Sequence, residues 1–296
     1  MTPDPAADRA DGGDVPTRRA AVLGSPISHS LSPVLHRAAY AALGLPWSYE
    51  AIECDEHRLP GLIESLPGDF IGLSLTMPLK RVVIPLLDDV SPLARDVGAV
   101  NTVTFVDDED AGRRRCGDNT DVPGMVAALA PALKRVGIGP GPTQRPPAVI
   151  LGAGGTAAAA LAALRDLGWA EVAVVVRDPS RTGPLQAAAQ RLGIEAIVQL
   201  WPGAARLTEA GVVVSTVPAG ATDSLDPAFH PGQVVFDVVY RPWPTRLAEL
   251  ARKAGCEVVG GLELLVQQAA LQIERWSGRT APVDLMRNAG TAALQG

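Results

Sequence analysis

The segment AVILGAGGTAAAALAALRDLG, residues 148–168, constrains the fold more than any other part of the chain. Four apolar residues predict a short buried strand, a glycine turn follows, and an alanine-rich helix begins directly behind it. The turn fits the pattern G-x-G-x-x-A. Its glycines allow a sharp turn and the close approach of a pyrophosphate, and its small last residue lets the helix touch the strand. The segment therefore indicates a dinucleotide site in a parallel sheet, with a plain tight βα turn as the alternative.

Strands and helices alternate along two halves of the chain, which are separated by the glycine- and proline-rich segment 137–147. In the first half we predict strands at 20–24, 47–53, 70–76 and 99–106, and helices at 33–43, 56–66, 80–87 and 122–136. In the second half the strands at 171–177, 212–218, 233–240 and 257–261 follow the glycine turn, and helices are predicted at 245–255 and 262–278. Such alternation is typical of mostly parallel sheets with helices on both faces.

Length and charge narrow the class of protein. The 296 residues exceed a usual single domain, and 47% hydrophobic residues with 20% charged ones can form real cores. The net charge of −6 and the lack of a basic run argue against nucleic acid as a partner. No apolar run approaches the roughly 20 residues that span a membrane, so no membrane association is predicted.

Cysteines and histidines give no sign of a metal site. Cys54, Cys116 and Cys256 are scattered, and the four histidines do not lie at metal-ligand spacing. We therefore expect no metal, no disulfide framework and a cytoplasmic location. Residues 1–17 are polar and rich in proline, without the apolar core of a signal peptide, and are predicted to be a disordered tail.

The segment GSPISHSLSP, residues 24–33, follows a predicted strand and starts a predicted helix. Ser32 and Pro33 fit an N-cap followed by proline at the first helical position. Ser30, Ser32 and free backbone N–H groups would then converge where a helix dipole favours an anion, especially a carboxylate. The alternative is that Ser32 only caps the helix and Ser30 only forms a turn.

The end of the strand predicted at 171–177 indicates whether the cofactor is NAD or NADP. NAD-binding folds of this kind place an acid there for the ribose hydroxyls, whereas this strand ends in Arg177, with Arg181 four residues later. Two guanidinium groups suit a 2′-phosphate, which favours NADP over NAD. Asp178 lies between them and is an alternative ligand for the ribose.

Two charged residues are candidates for the reaction. Lys80 follows the strand in LSLTMPLK, at the carboxyl end where open α/β sheets bind ligands, and Asp121 closes GDNTD before a helix. An ammonium group beside a carboxylate can donate a proton to a carbonyl oxygen and take it back in the reverse direction. A solvated surface lysine and a helix N-cap are the ordinary alternatives.

Four polar residues near predicted strand ends or in the last helix are candidates for binding a polyol. Asn101 in GAVNT offers both a donor and an acceptor, and Thr76, Tyr240 and Gln268 add hydroxyl and amide groups. Each of them is also compatible with capping or core packing.

Read in order, GSPISHSLSP, LSLTMPLK, GAVNT, GDNTD, GAGG, VVVRDPSR, FDVVY and GGLELLVQQAA resemble the shikimate dehydrogenase family over residues 19–277. The resemblance implies reversible, NADP-dependent reduction of 3-dehydroshikimate to shikimate, in the route to aromatic amino acids. It also implies an α/β chain in which an N-terminal open α/β substrate domain and a Rossmann-type domain flank a cleft. The implied bounds are 18–120 for the substrate domain, completed by helices within 262–296, and 121–261 for the NADP domain.

The resemblance also assigns roles to residues at matching positions. Lys80 and Asp121 would be the catalytic pair, and Ser30 and Ser32 would bind the substrate carboxylate. The ring hydroxyls would be bound by Thr76, Asn101, Tyr240 and Gln268. The cofactor site would be lined by Gly152, Ala153, Gly154, Gly155, Thr156, Arg177, Arg181, Val238 and Gly261.

Three positions depart from the usual family pattern. Ser74 and Val176 stand where asparagine is usual, and Gly260 stands where aspartate is frequent. The change at Ser74 keeps quinate or an amino-shikimate open as the substrate. A cofactor-sensing protein without activity is a further alternative, against which the joint presence of Lys80, Asp121 and both serines argues. Either a monomer or a homodimer is compatible with the sequence.

Overall fold

The computed structural model describes residues 17–108, 110, 112–139, 145–201 and 204–295. These residues form two α/β domains, each built on a six-stranded sheet, which confirms the predicted fold class. Apart from Thr17, the predicted tail lies outside the described residues, as do residues 140–144 of the predicted linker. No helix in the described part of the chain has both the length and the apolar character that a bilayer span requires.

The first sheet is mixed rather than mostly parallel. Its strands are β1 (Arg18–Gly24), β2 (Trp47–Glu53), β3 (Phe70–Leu75), β4 (Asp89–Val90), β5 (Thr102–Asp108) and β6 (Gly112–Asp118). They lie in the order β2-β1-β3-β5-β6-β4, and β5 runs antiparallel to both of its neighbours. The accompanying helices are α1 (Ser32–Ala42), α2 (Leu59–Ser65), α3 (Leu79–Val82) and α4 (Pro92–Val97), with a 3₁₀ turn at Ile84–Leu86.

The second sheet is parallel throughout. Its strands are β7 (Ala148–Leu151), β8 (Glu171–Val176), β9 (Glu195–Leu200), β10 (Val212–Ser215), β11 (Val234–Asp237) and β12 (Glu257–Gly260). The order β12-β11-β10-β7-β8-β9 reverses direction between β7 and β10, and a ligand crevice is expected at such a point. The helices of this half are α5 (Asp121–Arg135), α6 (Gly155–Asp166), α7 (Gly183–Leu192), α8 (Ala204–Glu209) and α9 (Arg246–Lys253).

Two last helices, α10 (Gly261–Ser277) and α11 (Val283–Gln295), return to the first sheet. Helix α10 packs against α5, α1 and α11, and Trp276 near its end lies on β3. A Cβ built at Gly72 of β3 would come within 2.3 Å of the Trp276 indole, so only glycine allows this close approach. The chain therefore crosses from the second sheet back to the first through a helix that contacts both regions.

Several local predictions are wrong in detail. The helix predicted at 80–87 is the short α3 followed by a 3₁₀ turn, and the strand predicted at 99–106 begins only at Thr102. The prediction lacks β4, β6, β9, α4, α7 and α8. Strand β6 carries three arginines, and its side chains are stabilised by contacts that composition does not reveal. The Arg113 guanidinium lies 4.3 Å above the centre of the Phe105 ring.

Candidate active site

Lys80 and Asp121 form a close ion pair at the carboxyl end of β3. The Lys80 Nζ lies 2.5 Å from the Asp121 Oδ2, and the two side chains are only 16% and 8% exposed. Lys80 is placed there by α3, which starts after the Met77–Pro78 bond, and its carbonyl accepts the Val100 N–H at 2.7 Å. Because the pair is largely withdrawn from water, its charges interact more strongly with a nearby reacting group than they would in solvent.

Asn101 holds the second carboxylate oxygen of Asp121. Its Nδ2 donates to the Asp121 Oδ1 at 2.8 Å and to the Thr120 Oγ1 at 3.0 Å, while its Oδ1 accepts the Thr120 N–H at 2.7 Å. Asp121 is the first residue of α5, but the helix end is satisfied by Asn119, whose Oδ1 accepts the Val122 N–H. Asp121 is therefore not a capping residue. Its Oδ2 binds the Lys80 ammonium group, and its Oδ1 binds the Asn101 amide.

The two serines lie together at the start of α1, but Ser32 is not the N-cap. The helix begins at Ser32, Leu31 occupies the cap position, and no side chain caps this end. The Ser30 Oγ accepts the Ser32 N–H at 3.3 Å, and Ser32 is buried. The N-cap prediction is wrong because the chain is already helical at Leu31.

Thr76, Tyr240 and Gln268 are placed by three different elements. Thr76 follows β3, and its Cγ2 would lie 2.3 Å from a Cβ at Gly24, so glycine is needed beside it. Gln268 is buried in α10, where its backbone packs on Gly124 of α5. Burial raises the pKa of Tyr240, whose hydroxyl therefore stays protonated and can donate. No hydrogen bond among the described residues joins these three side chains to the Lys80–Asp121 pair.

The glycine turn lies next to the ion pair. A Cβ at Gly155 would be 3.8 Å from the Lys80 Cδ and 3.7 Å from the Ala99 Cβ, whereas one at Gly154 would meet nothing within 4 Å. Gly152 has φ +105°, and a Cβ there would come within 2.7 Å of the Thr216 Oγ1, so this residue must be glycine. Ala153 and Thr156 are half-buried on either side of the exposed Gly154. The open turn and the uncapped N-terminus of α6 fit a pyrophosphate.

The arginines at the end of β8 also fit an anionic cofactor. Arg177 and Arg181 are both exposed, and within the described ranges neither forms an ion pair with a carboxylate. Asp178 is committed elsewhere, since its Oδ1 accepts the Ser180 N–H at 3.0 Å and the Ser180 hydroxyl at 2.6 Å. The hydrogen bonds from the Ser180 hydroxyl and N–H lower the pKa of Asp178.

Val238 and Gly261 are in direct contact beyond the ends of β11 and β12. A Cβ at Gly261 would lie 2.0 Å from the Val238 carbonyl oxygen, so a side chain there would displace backbone. At the neighbouring Gly260, a Cβ would lie 2.8 Å from the Trp243 ring. The indole thus fills the space of the missing side chain, which explains why glycine replaces the frequent aspartate.

Behind the ion pair lies a set of buried polar residues that the sequence alone did not indicate. They are Tyr49, Thr102, Thr120 and Gln272, and together with Ser74, Asn101 and Asp121 they form what we call the polar network. The Ser74 Oγ accepts from the Tyr49 hydroxyl at 2.6 Å and donates to the Gln272 Oε1 at 2.8 Å. A signal was present, because Gln272 lies one turn after Gln268 on the same helix face.

Comparisons with known proteins find relatives along nearly the whole chain. The model of the shikimate dehydrogenase substrate binding domain matches residues 22–103, and that of the shikimate 5'-dehydrogenase C-terminal domain matches residues 261–289. A shikimate dehydrogenase (NADP(+)) from Symbiobacterium thermophilum is 38% identical over 294 residues, covering 95% of this chain and 96% of that protein.

Two solved structures extend the similarity to the fold. Shikimate 5-dehydrogenase from Thermus thermophilus, in complex with NADP(H) and shikimate, is 38% identical with a TM-score of 0.78, covering 94% of this chain and 100% of that one. Quinate dehydrogenase from Corynebacterium glutamicum, in complex with NAD, is 29% identical with a TM-score of 0.80, covering 93% and 99%. With similarity along nearly its whole length, the chain belongs to the shikimate dehydrogenase family.

Proposed function

We propose that this protein interconverts 3-dehydroshikimate and shikimate with NADP, a step in the route to aromatic amino acids. The observation that carries the proposal is the position of the Lys80–Asp121 pair beside the glycine turn, where Gly155 approaches the Lys80 side chain. A proton-transferring pair and a dinucleotide site in contact are what a dehydrogenase of a hydroxyl group needs. The 38% identity to an NADP(+)-dependent shikimate dehydrogenase supports this substrate and cofactor.

Lys80 moves the proton in this mechanism. During reduction its Nζ donates a proton to the carbonyl oxygen of the substrate, and during oxidation it takes the proton from the hydroxyl. The Asp121 Oδ2 lies 2.5 Å from the Lys80 Nζ and keeps the ammonium group directed at the reacting oxygen of the substrate. The Asn101 amide in turn keeps the Asp121 carboxylate from rotating. Positioning supplies a large part of the rate, since the reacting atoms must be held within about 3–3.5 Å.

The substrate carboxylate binds at the start of α1 in this proposal. Ser30 and Ser32 offer hydroxyls, and the N-terminal end of the helix adds backbone dipoles that favour negative charge. Thr76, Tyr240 and Gln268 bind the ring hydroxyls, whereas Asn101 holds Asp121, because both of its N–H groups already donate to Thr120 and Asp121. The contacts at the carboxylate end are remote from the reaction and serve to orient the ring.

The cofactor is held by residues that fit it on structural grounds. Gly152, Ala153, Gly154, Gly155 and Thr156 would bind the pyrophosphate, Arg177 and Arg181 the 2′-phosphate, and Val238 and Gly261 the nicotinamide end. When bound, the reduced cofactor would supply the hydride and the oxidised cofactor would accept it. One oxygen of Asp178 is bound within its own turn, and its other oxygen stays a candidate for the ribose.

Three further features belong to this proposal. The substrate domain comprises residues 18–120 and the helices within 262–296, and the NADP domain comprises 121–261. We place the reaction in the cytoplasm, because all three cysteines are free thiols. The working unit is a monomer or a homodimer, with a small molecule as the partner.

The experiment that tests the proposal is a spectrophotometric assay that pairs shikimate and quinate with NADP and NAD. We expect turnover mainly with shikimate and NADP. Quinate is the second candidate, since a quinate dehydrogenase is 29% identical and Ser74 departs from the family pattern. The structure argues against quinate, because the Ser74 hydroxyl donates its single proton to Gln272 inside the protein and therefore cannot donate it to a substrate. Turnover mainly with quinate or NAD would overturn the assignment of substrate or cofactor.

A further inference from the structure

Gln272 is a fully buried amide to which the proposed mechanism gives no role. It lies in the middle of α10 with 0% of its surface exposed. A buried amide must be hydrogen-bonded, because a buried donor or acceptor without a partner costs about 1–3 kcal/mol of stability. Its partners therefore show what the residue does.

Both ends of the Gln272 amide are bound to strands of the first sheet. The Oε1 accepts from the Ser74 Oγ of β3 at 2.8 Å. The Nε2 donates to the Thr102 Oγ1 of β5 at 2.9 Å, with a longer contact of 3.5 Å to the Asn101 carbonyl oxygen. The amide thus bridges two adjacent antiparallel strands beside the candidate active site, where β3 ends and β5 begins.

From Thr102 an unbroken chain of hydrogen bonds leads to the ion pair. The Thr102 Oγ1 donates to the Asn101 Oδ1 at 2.9 Å, and the Asn101 Nδ2 donates to the Asp121 Oδ1 at 2.8 Å. The other oxygen of Asp121 binds the Lys80 Nζ at 2.5 Å. All of these side chains except Lys80 are buried, so water cannot readily replace a lost partner.

The direction of the hydrogen bonds gives Gln272 its role. A threonine hydroxyl has one proton, and because Thr102 accepts from Gln272, that proton can point to the Asn101 Oδ1. Together with the Thr120 N–H, which donates to the same Oδ1 at 2.7 Å, this keeps the carbonyl end of the Asn101 amide toward Thr102 and its NH₂ end toward Asp121. Without the Gln272 donor, the Thr102 proton can turn toward the Thr120 Oγ1, which lies 3.0 Å from the Thr102 Oγ1.

We propose that Gln272 is a positioning residue, which acts through Thr102 and Asn101 to hold the Lys80–Asp121 pair in its reactive geometry. The proposal rests on the proposed function, since the effect is measured as turnover of shikimate. Gln272 does not touch the substrate in this account, so its loss should lower kcat and leave KM for shikimate nearly unchanged.

The test replaces Gln272 with methionine, which has a similar volume and no amide. We expect Gln272→Met to lower kcat about tenfold, the scale of one net hydrogen bond, with KM for shikimate changed less than twofold. The matched control is Gln267→Met on the same helix, because the Gln267 Nε2 donates instead to Glu263, which pairs with Arg287. An unchanged kcat in Gln272→Met, or a rise confined to KM, would overturn the proposal.

A second pair of variants tests the chain independently of whether Gln272→Met folds. Thr102→Val removes the hydroxyl and should lower kcat to a similar extent, whereas Thr102→Ser keeps the hydroxyl and should recover most of that loss. Combining Thr102→Val with Gln272→Met should cost little more than either change alone, because both interrupt one path. Fully additive losses would contradict it. A wild-type protein that oxidises no shikimate would refute the proposed function before any variant is compared.

Discussion

Lys80 is the residue whose removal tests the proposed chemistry most sharply, and Lys80→Met removes the ammonium group while keeping most of the side-chain volume. Proton transfer by a positioned group contributes about 10²–10⁴ in rate. Each factor of ten corresponds to about 1.36 kcal/mol of activation free energy. We therefore expect kcat to fall by about 10²–10⁴, which corresponds to a barrier that is higher by about 3–5 kcal/mol. The structure limits the folding cost, because Asp121 keeps the Asn101 amide at 2.8 Å as a partner.

Steady-state kinetics in both directions, with thermal unfolding as a check on folding, measure this effect. The exposed Lys134 in the last turn of α5 provides the matched control, and Lys134→Met should leave kcat and KM unchanged. If Lys80→Met raises KM for shikimate and leaves kcat intact, Lys80 only binds the substrate and the reasoning is refuted.

Three further outcomes follow from the geometry. Replacing Arg177 and Arg181 with serine should weaken the binding of NADPH about tenfold or more in a fluorescence titration and leave the binding of NADH unchanged. An equal loss of affinity for both cofactors would show that the arginines have only a structural role. Gly261→Ala should lower the free energy of unfolding by about 1–3 kcal/mol, since its Cβ would meet backbone, whereas Gly183→Ala, also at a helix start but with open space, should not. Burial lowers the pKa of His36 to about 4, so as the pH falls from about 6.5 to 4 the unfolded chain takes up a proton that the native protein does not. In urea unfolding, about 3 kcal/mol of the stability lost over that range should come from His36, and this part should be missing in His36→Phe; parallel curves for the two proteins would contradict this origin.

The elements around the glycine turn could be predicted from sequence because local pattern and packing agree there. The strand, the turn and the alanine-rich helix at 148–168 are matched by β7, Gly152 with φ +105° and the buried α6. Strand β6 could not be predicted in this way. Arg113 is stabilised by a ring in β5 and Arg115 by Asp88, and such partners are defined only once the sheet has formed.

The candidate site shows the same division. Lys80 and Asp121 lie next to recognisable strand ends and helix starts, so sequence position indicated both of them. Gln272 and Thr102 belong to buried surfaces where a polar residue has meaning only through its partner. The two positions are separated by 170 residues, and their 2.9 Å hydrogen bond depends on the return of α10 to the first sheet. Periodicity along a single helix cannot reveal such a contact.

Product analysis tests the central claim most directly. The purified protein would be incubated with shikimate and NADP, and the products identified by mass spectrometry together with the amount of NADPH formed. We predict a product lighter than shikimate by one pair of hydrogen atoms, formed in equal amount with NADPH by the wild type and almost absent with Lys80→Met. Unchanged shikimate, or the same yield from Lys80→Met, would contradict the assignment of the reaction to this pair.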